Sequence, residues 1–166
     1  MNRPLDLIDQ SLLELLQANG RIKQNALAEK TGLSVPAVGE RLKKLEELGI
    51  ITDYRAILNY RKLGFDVTAF IAVTVDSSHH YKLFLQKVES THEIMECHAI
   101  TGEGTHLLKA RTENTSALEK LLAHIQSWPG VVTTLTRVVL SSPKETTHIH
   151  IQQKNHLTPQ GGSDVD

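Results

Sequence analysis

Leu5, Ile8, Leu12, Leu15 and Leu16 recur at helical spacing and predict one amphipathic helix over roughly 6–18. Asn19-Gly20 is its stop, since glycine tolerates the left-handed turn that closes a helix. A second, short helix fits 24–31, with Leu27 and Ala28 inward, before Gly32 breaks it and Leu33 plugs the turn. Ser34 is the natural N-cap of a third helix, and Pro36 falls in its first turn, where a missing N–H costs little. Val38, Leu42, Leu45 and Leu48 then form one apolar stripe, which Gly49 ends. Ile50–Thr52 and Tyr54–Leu58 read as short extended segments, a wing or hinge.

The period changes after residue 65. Val67–Val75 is β-branched and apolar, a buried strand. Residues 79–90 follow as a helix, then two strands at 94–101 and 105–112 joined by the glycine-rich turn Thr101-Gly102-Glu103-Gly104. Ser116 is placed to cap a helix with Leu118, Leu121, Leu122 and Ile125 on one face, and Trp128-Pro129-Gly130 stops it. Val131–Leu140 is the fourth strand, so the order is βαββαβ, a ferredoxin-like sandwich. Its helices cover one sheet face, and the other is apolar enough that sheet-to-sheet dimerisation is expected. His148–Ile151 alternates like one more strand, and residues 157–164 read as a frayed tail. The fold class is therefore α+β. Its expected parts are a helical domain over 1–50, a hinge strand over 51–65, a ferredoxin-like domain over 66–152 and a flexible tail over 153–166.

Composition removes several alternatives. With 166 residues, 40% apolar, 22% charged and a net charge of −1, the chain is neither disordered nor polybasic. No run approaches a membrane span, and acids occupy the first ten residues where a signal peptide is apolar, so a soluble, cytoplasmic protein is expected. A lone cysteine, Cys97, excludes an internal disulfide and any multi-thiolate site. Charge is uneven, however. Residues 20–45 hold six basic residues against two acidic ones, which points to a focused anionic partner.

Three helices with a glycine turn between the second and third are the helix-turn-helix pattern, whose last helix enters the major groove of double-stranded DNA N-terminal end first. Candidate contacts are Lys23, Ser34, Val35, Pro36, Ala37, Gly39, Glu40, Arg41, Lys43 and Lys44. Small residues at the entering end let the backbone approach the bases. Arg41 offers a bidentate fork to guanine or phosphate, and Lys43 and Lys44 suit phosphates as point charges. Other chemistry is weak. His148 and His150 share a face but lack a third metal ligand, and His79-His80 is no better, so no metal is expected. Cys97 and His98 point to opposite faces of a strand and do not make a nucleophile–base pair. Trp128 reads as packing at a helix end, and phosphate loops, nucleophile elbows and redox pairs are absent.

Residues 5–64, LDLIDQSLLELLQANGRIKQNALAEKTGLSVPAVGERLKKLEELGIITDYRAILNYRKLG, closely resemble the helix-turn-helix of the Lrp/AsnC (feast/famine) transcription regulators. AFIAVTV, Thr101-Gly102 and the segment WPGVVTTLT continue the resemblance in the family's order across about residues 5–145. It implies a DNA-binding regulator with no cofactor beyond a small effector, commonly an amino acid. It also implies a homodimer assembling to a tetramer or octamer. The family's ligand pocket lies between protomers at the turn that here reads Thr101, Gly102, Glu103, Gly104, Thr105 and His106. Glycine amides suit a carboxylate there, and Glu103 an ammonium group. Many members follow the Thr-Gly dipeptide with an aromatic or charged residue and then Asp. Here Gly104 and Thr105 stand in those places, so either Glu103 or His106 meets the ammonium group, or the effector differs, or none is bound. The alternative from another class is an enzyme similar to the sirohaem decarboxylases, which share this two-domain architecture.

Overall fold

The computed structural model describes residues 5–151, so the expected frayed tail lies outside the described residues. Helix α1 (Leu7–Ala18) starts where two carboxylates cap it reciprocally. Asp6 accepts from the Asp9 amide at 2.8 Å, and Asp9 accepts from the Asp6 amide at 3.4 Å, the capping-box arrangement. Helix α2 (Gln24–Thr31) ends at Gly32, whose φ of 70° is left-handed. That turn sets α3 (Val35–Glu47) across it, with the Ser34 hydroxyl accepting from the Ala37 amide at 3.3 Å. Leu12, Leu27, Val38 and Leu45 are at most 2% exposed and form the core of this unit. Leu13 is buried as well, a position outside the expected stripe.

Two expected extended segments resolve differently. No strand forms over 50–58; the Ile50 and Ile51 amides instead bond back to the Leu45 carbonyl and finish α3. His148–Ile151 forms no strand either, because its neighbour is a helix. Gln17 of α1 donates to the Ile149 carbonyl at 3.0 Å and accepts from the Ile149 amide at 2.7 Å. Glu14 accepts from the Ile151 amide at 3.1 Å. Residues 146–151 thus join residues 5–57 as one compact unit, although the sequence reading grouped them with the second domain; the other unit is 58–145.

In that second unit β1 (Val67–Val75), α4 (Ser78–Glu89), β2 (Ile94–Ala99), β3 (His106–Thr112), α5 (Thr115–Gln126) and β4 (Val131–Val138) follow one another. The sheet order is β2-β3-β1-β4, and each neighbouring pair is antiparallel. Ile71 of β1 stands between Leu108 and Thr136. Alternate residues Ala69, Ile71, Val73 and Val75 meet Phe84, Val88, Leu118, Leu121, Ile125 and Trp128 in one core. The opposite face carries Phe70, Ala72, Leu107 and Leu135, the last 42% exposed. β4 ends two residues early, at Val138, and the Val139 amide makes a last bond to Thr68.

The α5 cap differs from expectation. Helix α5 starts at Thr115, so Ser116 already lies inside it, and Asn114, with extended backbone, accepts from the Ala117 amide at 2.9 Å. Asn114→Ala should therefore cost about 1 kcal/mol and Ser116→Ala less than about 0.5, measured by urea denaturation. Equal losses would return the cap to Ser116.

Candidate nucleic-acid interface and effector turn

Helix α3 presents its polar face because its stripe of Val38, Leu42 and Leu45 is buried against α1 and α2. Ser34, Val35, Pro36, Glu40, Lys43 and Lys44 are exposed, as is Lys23 just before α2. Ala37 is half-buried. Lys43 meets Glu47 one turn on at 3.7 Å, with both side chains mostly in solvent, so the pair is easily exchanged for another anion.

Arg41 is not the free fork that its spacing predicts. Its Nη1 donates to Asp6 Oδ2 at 2.7 Å and to Asp9 Oδ1 at 2.6 Å. The side chain is 28% exposed, against 11% for Asp9. Arg41 sits beside the stripe rather than opposite it, close enough to the start of α1 to be taken by the two capping carboxylates. Burial presses the Asp6 carboxyl up, but the Asp9 amide and the Arg41 guanidinium outweigh it and hold the group below its usual range. Gly39 is half-buried, and a Cβ there would make ordinary van der Waals contact with Gln24 Oε1 of α2 at 3.6 Å, so packing does not demand glycine. Near that contact Leu16, Ile22, Leu27 and Leu42 line a cleft of about 410 Å³, with Lys43, Glu46 and Tyr54 at its rim. The Tyr54 hydroxyl donates to Glu46 at 2.9 Å, and burial, then Glu46, push its pKa up to about 12.

The effector turn divides into an exposed part and an anchored part. Thr101, Gly102 and Glu103 are exposed. Thr105 fastens the turn to β1: its amide donates to Val73 O at 2.9 Å, and its hydroxyl accepts from the Val75 amide at 3.0 Å and donates to Val73 O at 3.1 Å. Gly104 has φ 86°, and a Cβ there would lie 3.0 Å from Val73 O, so close approach to β1 requires glycine.

Both residues expected to meet an ammonium group are already engaged. Glu103 pairs with Arg137 at 2.6 Å on the surface. His106 is 3% exposed and packs its ring against Tyr81 and Phe84, on the helix side of the sheet. Desolvation holds its imidazole below the usual range, and Thr105 Oγ1 lies 2.9 Å from Nδ1. It is a core residue. Arg137 and the Asp6–Asp9 pair are the residues that spacing missed; Asp-x-x-Asp before a hydrophobic run was the available signal for the latter.

His148 and His150 face Glu14 at 3.0 and 3.8 Å. Among the described residues no group of three or more His, Cys, Asp or Glu could hold a metal ion. Cys97 is half-buried against the core, which raises its thiol pKa, whereas His98 faces Glu96. None of the helices described is long and apolar enough to cross a membrane.

Residues 5–52 match the family described as winged helix-turn-helix DNA-binding, and residues 68–149 match the Lrp/AsnC ligand binding domain. Over 152 residues the chain is 36% identical to the HTH-type transcriptional regulator FL11 of Pyrococcus abyssi, covering 92% of this chain and 100% of that one. It is 34% identical over 155 residues to the leucine-responsive regulatory protein of Escherichia coli K12, covering 92% of this chain and 94% of the relative. A transcriptional regulator of Neisseria meningitidis, solved with L-methionine, superposes with a TM-score of 0.84 at 32% identity, covering 88% of this chain and 96% of that one.

Two sets of variants test this geometry. Asp6, with its carboxyl held low, stabilises the fold above its unfolded pKa of about 3.8, and that contribution fades as pH falls through the lower folded value. Asp6→Asn keeps the cap but not the charge, so its acid denaturation limb should be shallower than that of the wild type; identical limbs would remove the Arg41 tie from stability. At the turn, Gly102→Ala meets open space and should cost about 1–2 kcal/mol from its positive φ alone. Gly104→Ala adds the collision with Val73 and should cost more, read by thermal unfolding.

Proposed function

The chain belongs to the Lrp/AsnC family of transcriptional regulators, and from that premise we propose that α3 reads an operator while an amino acid at the Thr101–His106 turn adjusts the reading. The relatives matched over nine-tenths of the chain are regulators, so the decarboxylase alternative falls away. The observation that carries the reading is the face of α3: an exposed row of Ser34, Val35, Pro36, Glu40, Lys43 and Lys44 over a fully buried stripe. In a major groove Lys43 and Lys44 serve phosphates, Val35 a thymine methyl, and Glu40 accepts from cytosine N4. Lys23 and the Ala37 and Ser34 end of the helix lie toward the backbone, Gly39 leaves room for its approach, and Arg41 acts by holding α3 to the start of α1.

For the effector, the Neisseria relative bound to L-methionine supports an amino acid. Arg137 and Glu103 together carry the two charges that a zwitterion requires, and the ligand would exchange their mutual pair for its own carboxylate and ammonium groups. The apolar face with Phe70, Leu107 and Leu135 supports a homodimer formed through the sheets in the cytoplasm, and dimers of that kind assemble further into tetramers or octamers. Ligand bound between protomers then alters the spacing of two recognition helices, an allosteric linkage that is reciprocal.

Fluorescence anisotropy of a labelled fragment from the gene's own upstream region, across salt and a panel of amino acids led by L-methionine and L-leucine, tests the proposal. Tight binding that weakens with salt and survives unrelated competitor DNA is expected. Lys43→Ala should make the log–log salt slope shallower by about 0.9. Absence of binding at low salt overturns the regulator; an unchanged slope removes Lys43 from the interface; indifference to every amino acid overturns the effector reading.

A further inference from the structure

Arg111 lies near the end of β3 on the sheet face away from the helices, and its guanidinium meets two segments far apart in sequence. The guanidinium carbon lies 3.8 Å from the centre of the Tyr60 ring, a cation–π stack. Its Nη2 donates to Glu145 Oε1 at 2.6 Å, and Lys109 Nζ donates to the same oxygen at 2.5 Å. These contacts hold the Glu145 carboxyl below its usual range, Lys109 first. The Lys109 and Arg111 side chains are only 15% and 18% exposed, so salt screens this cluster less than a surface pair.

The placement along the chain matters more than the contacts. Tyr60 stands two residues after the unit begins at Leu58, and Glu145 is its last residue. Those are the two points at which the backbone passes between the units. Among the described residues the buried Arg111 Nε has no hydrogen-bond partner, so the guanidinium keeps its place through the ring and the carboxylate.

We propose that Arg111 is a positioning residue that clamps both crossings to β3, so that the linker at Tyr60 and the return at Glu145 are held or released together. Its use in signalling rests on the regulator reading. β3 begins at His106, next to the Thr105 anchor of the effector turn, and runs seven residues to the clamp region, so a movement large enough to displace that anchor reaches both connections at once.

Hydrogen exchange on the full chain reads the clamp by perturbing one crossing and watching the other. In Glu145→Gln the guanidinium loses its ionic restraint, and the stack on Tyr60 loosens. The amides of Leu63, Gly64 and Phe65, which bond back to Tyr60 and Arg61, should then exchange about three- to tenfold faster. Amides of Ile71 and Val73 in β1 should not change. Arg111→Lys keeps a cation for Glu145 but loses the planar stack. It should speed the same three amides and leave Val139, bonded to Thr68 at 2.9 Å, as it was. An effect of Glu145→Gln confined to its own end overturns the clamp, as does wild-type exchange at 63–65 in Arg111→Lys. If Glu145→Gln also loosens Ile71 and Val73, Arg111→Lys decides alone. Anisotropy on the operator fragment, run with the same proteins, separates the two readings. Intact DNA binding without the cross-effect sinks the clamp only; the cross-effect without DNA binding sinks the regulator only.

Discussion

A nine-residue strand with both edges paired and one face sealed in the core is the constraint on which the second unit depends. β1 gives its backbone to β3 on one side and β4 on the other, and so has no free edge to satisfy elsewhere. One face of it is closed by α4 and α5, and Ile71 and Val73 there are fully buried. The loop at 101–105 inherits its shape from the same strand, since Thr105 and Gly104 are placed by the Val73 carbonyl and the Val75 amide. A ligand that moves this loop therefore works against a strand paired on both edges. Only the part beyond that seam, Thr101 to Glu103, is free to respond cheaply.

The helical unit solves a different problem. A helix that inserts into DNA must be held from behind, and hydrophobic packing alone leaves it able to roll about its own axis. Two carboxylates at the start of α1 meet a guanidinium on α3 and supply a directional stop. The same carboxylates cap α1, so one cluster both starts the first helix and orients the third. A partly buried pair of this kind adds little net stability but strongly penalises loss of one partner, which suits a device for orientation more than for strength.

Much of this was legible from residue order. The periods of 3.6 and 2 locate five helices and four strands, and Gly32, Ser34 and Trp128-Pro129-Gly130 mark their limits because those residues act locally. What spacing hides is which of several competent side chains is used. Asn114 and Ser116 are both good caps, and only the backbone at 114 being extended decides between them. Arg41 sits at a position that looks free on a helical wheel until α1 is brought beside it. His106 begins a strand after a polar turn, and its inward direction follows from the pairing of Val73 with His106, which needs the register. The short alternation His148–Ile151 has strand character, yet its backbone bonds go to the side chains of Gln17 and Glu14, a pairing that no periodicity reveals.

That last contact bears on how the molecule is made. Ile151, half-buried, packs against the core of the helical unit, whose residues emerge from the ribosome far earlier. At typical elongation rates the 94 residues after Ile57 take roughly 5–20 s to synthesise. For that interval α1 carries Glu14 and Gln17 without their backbone partners, while every strand of the second unit's sheet is synthesised before residue 146. The first unit to begin is thus the last to be completed, and its closure waits for residues 146–151 rather than for the emergence of its three helices.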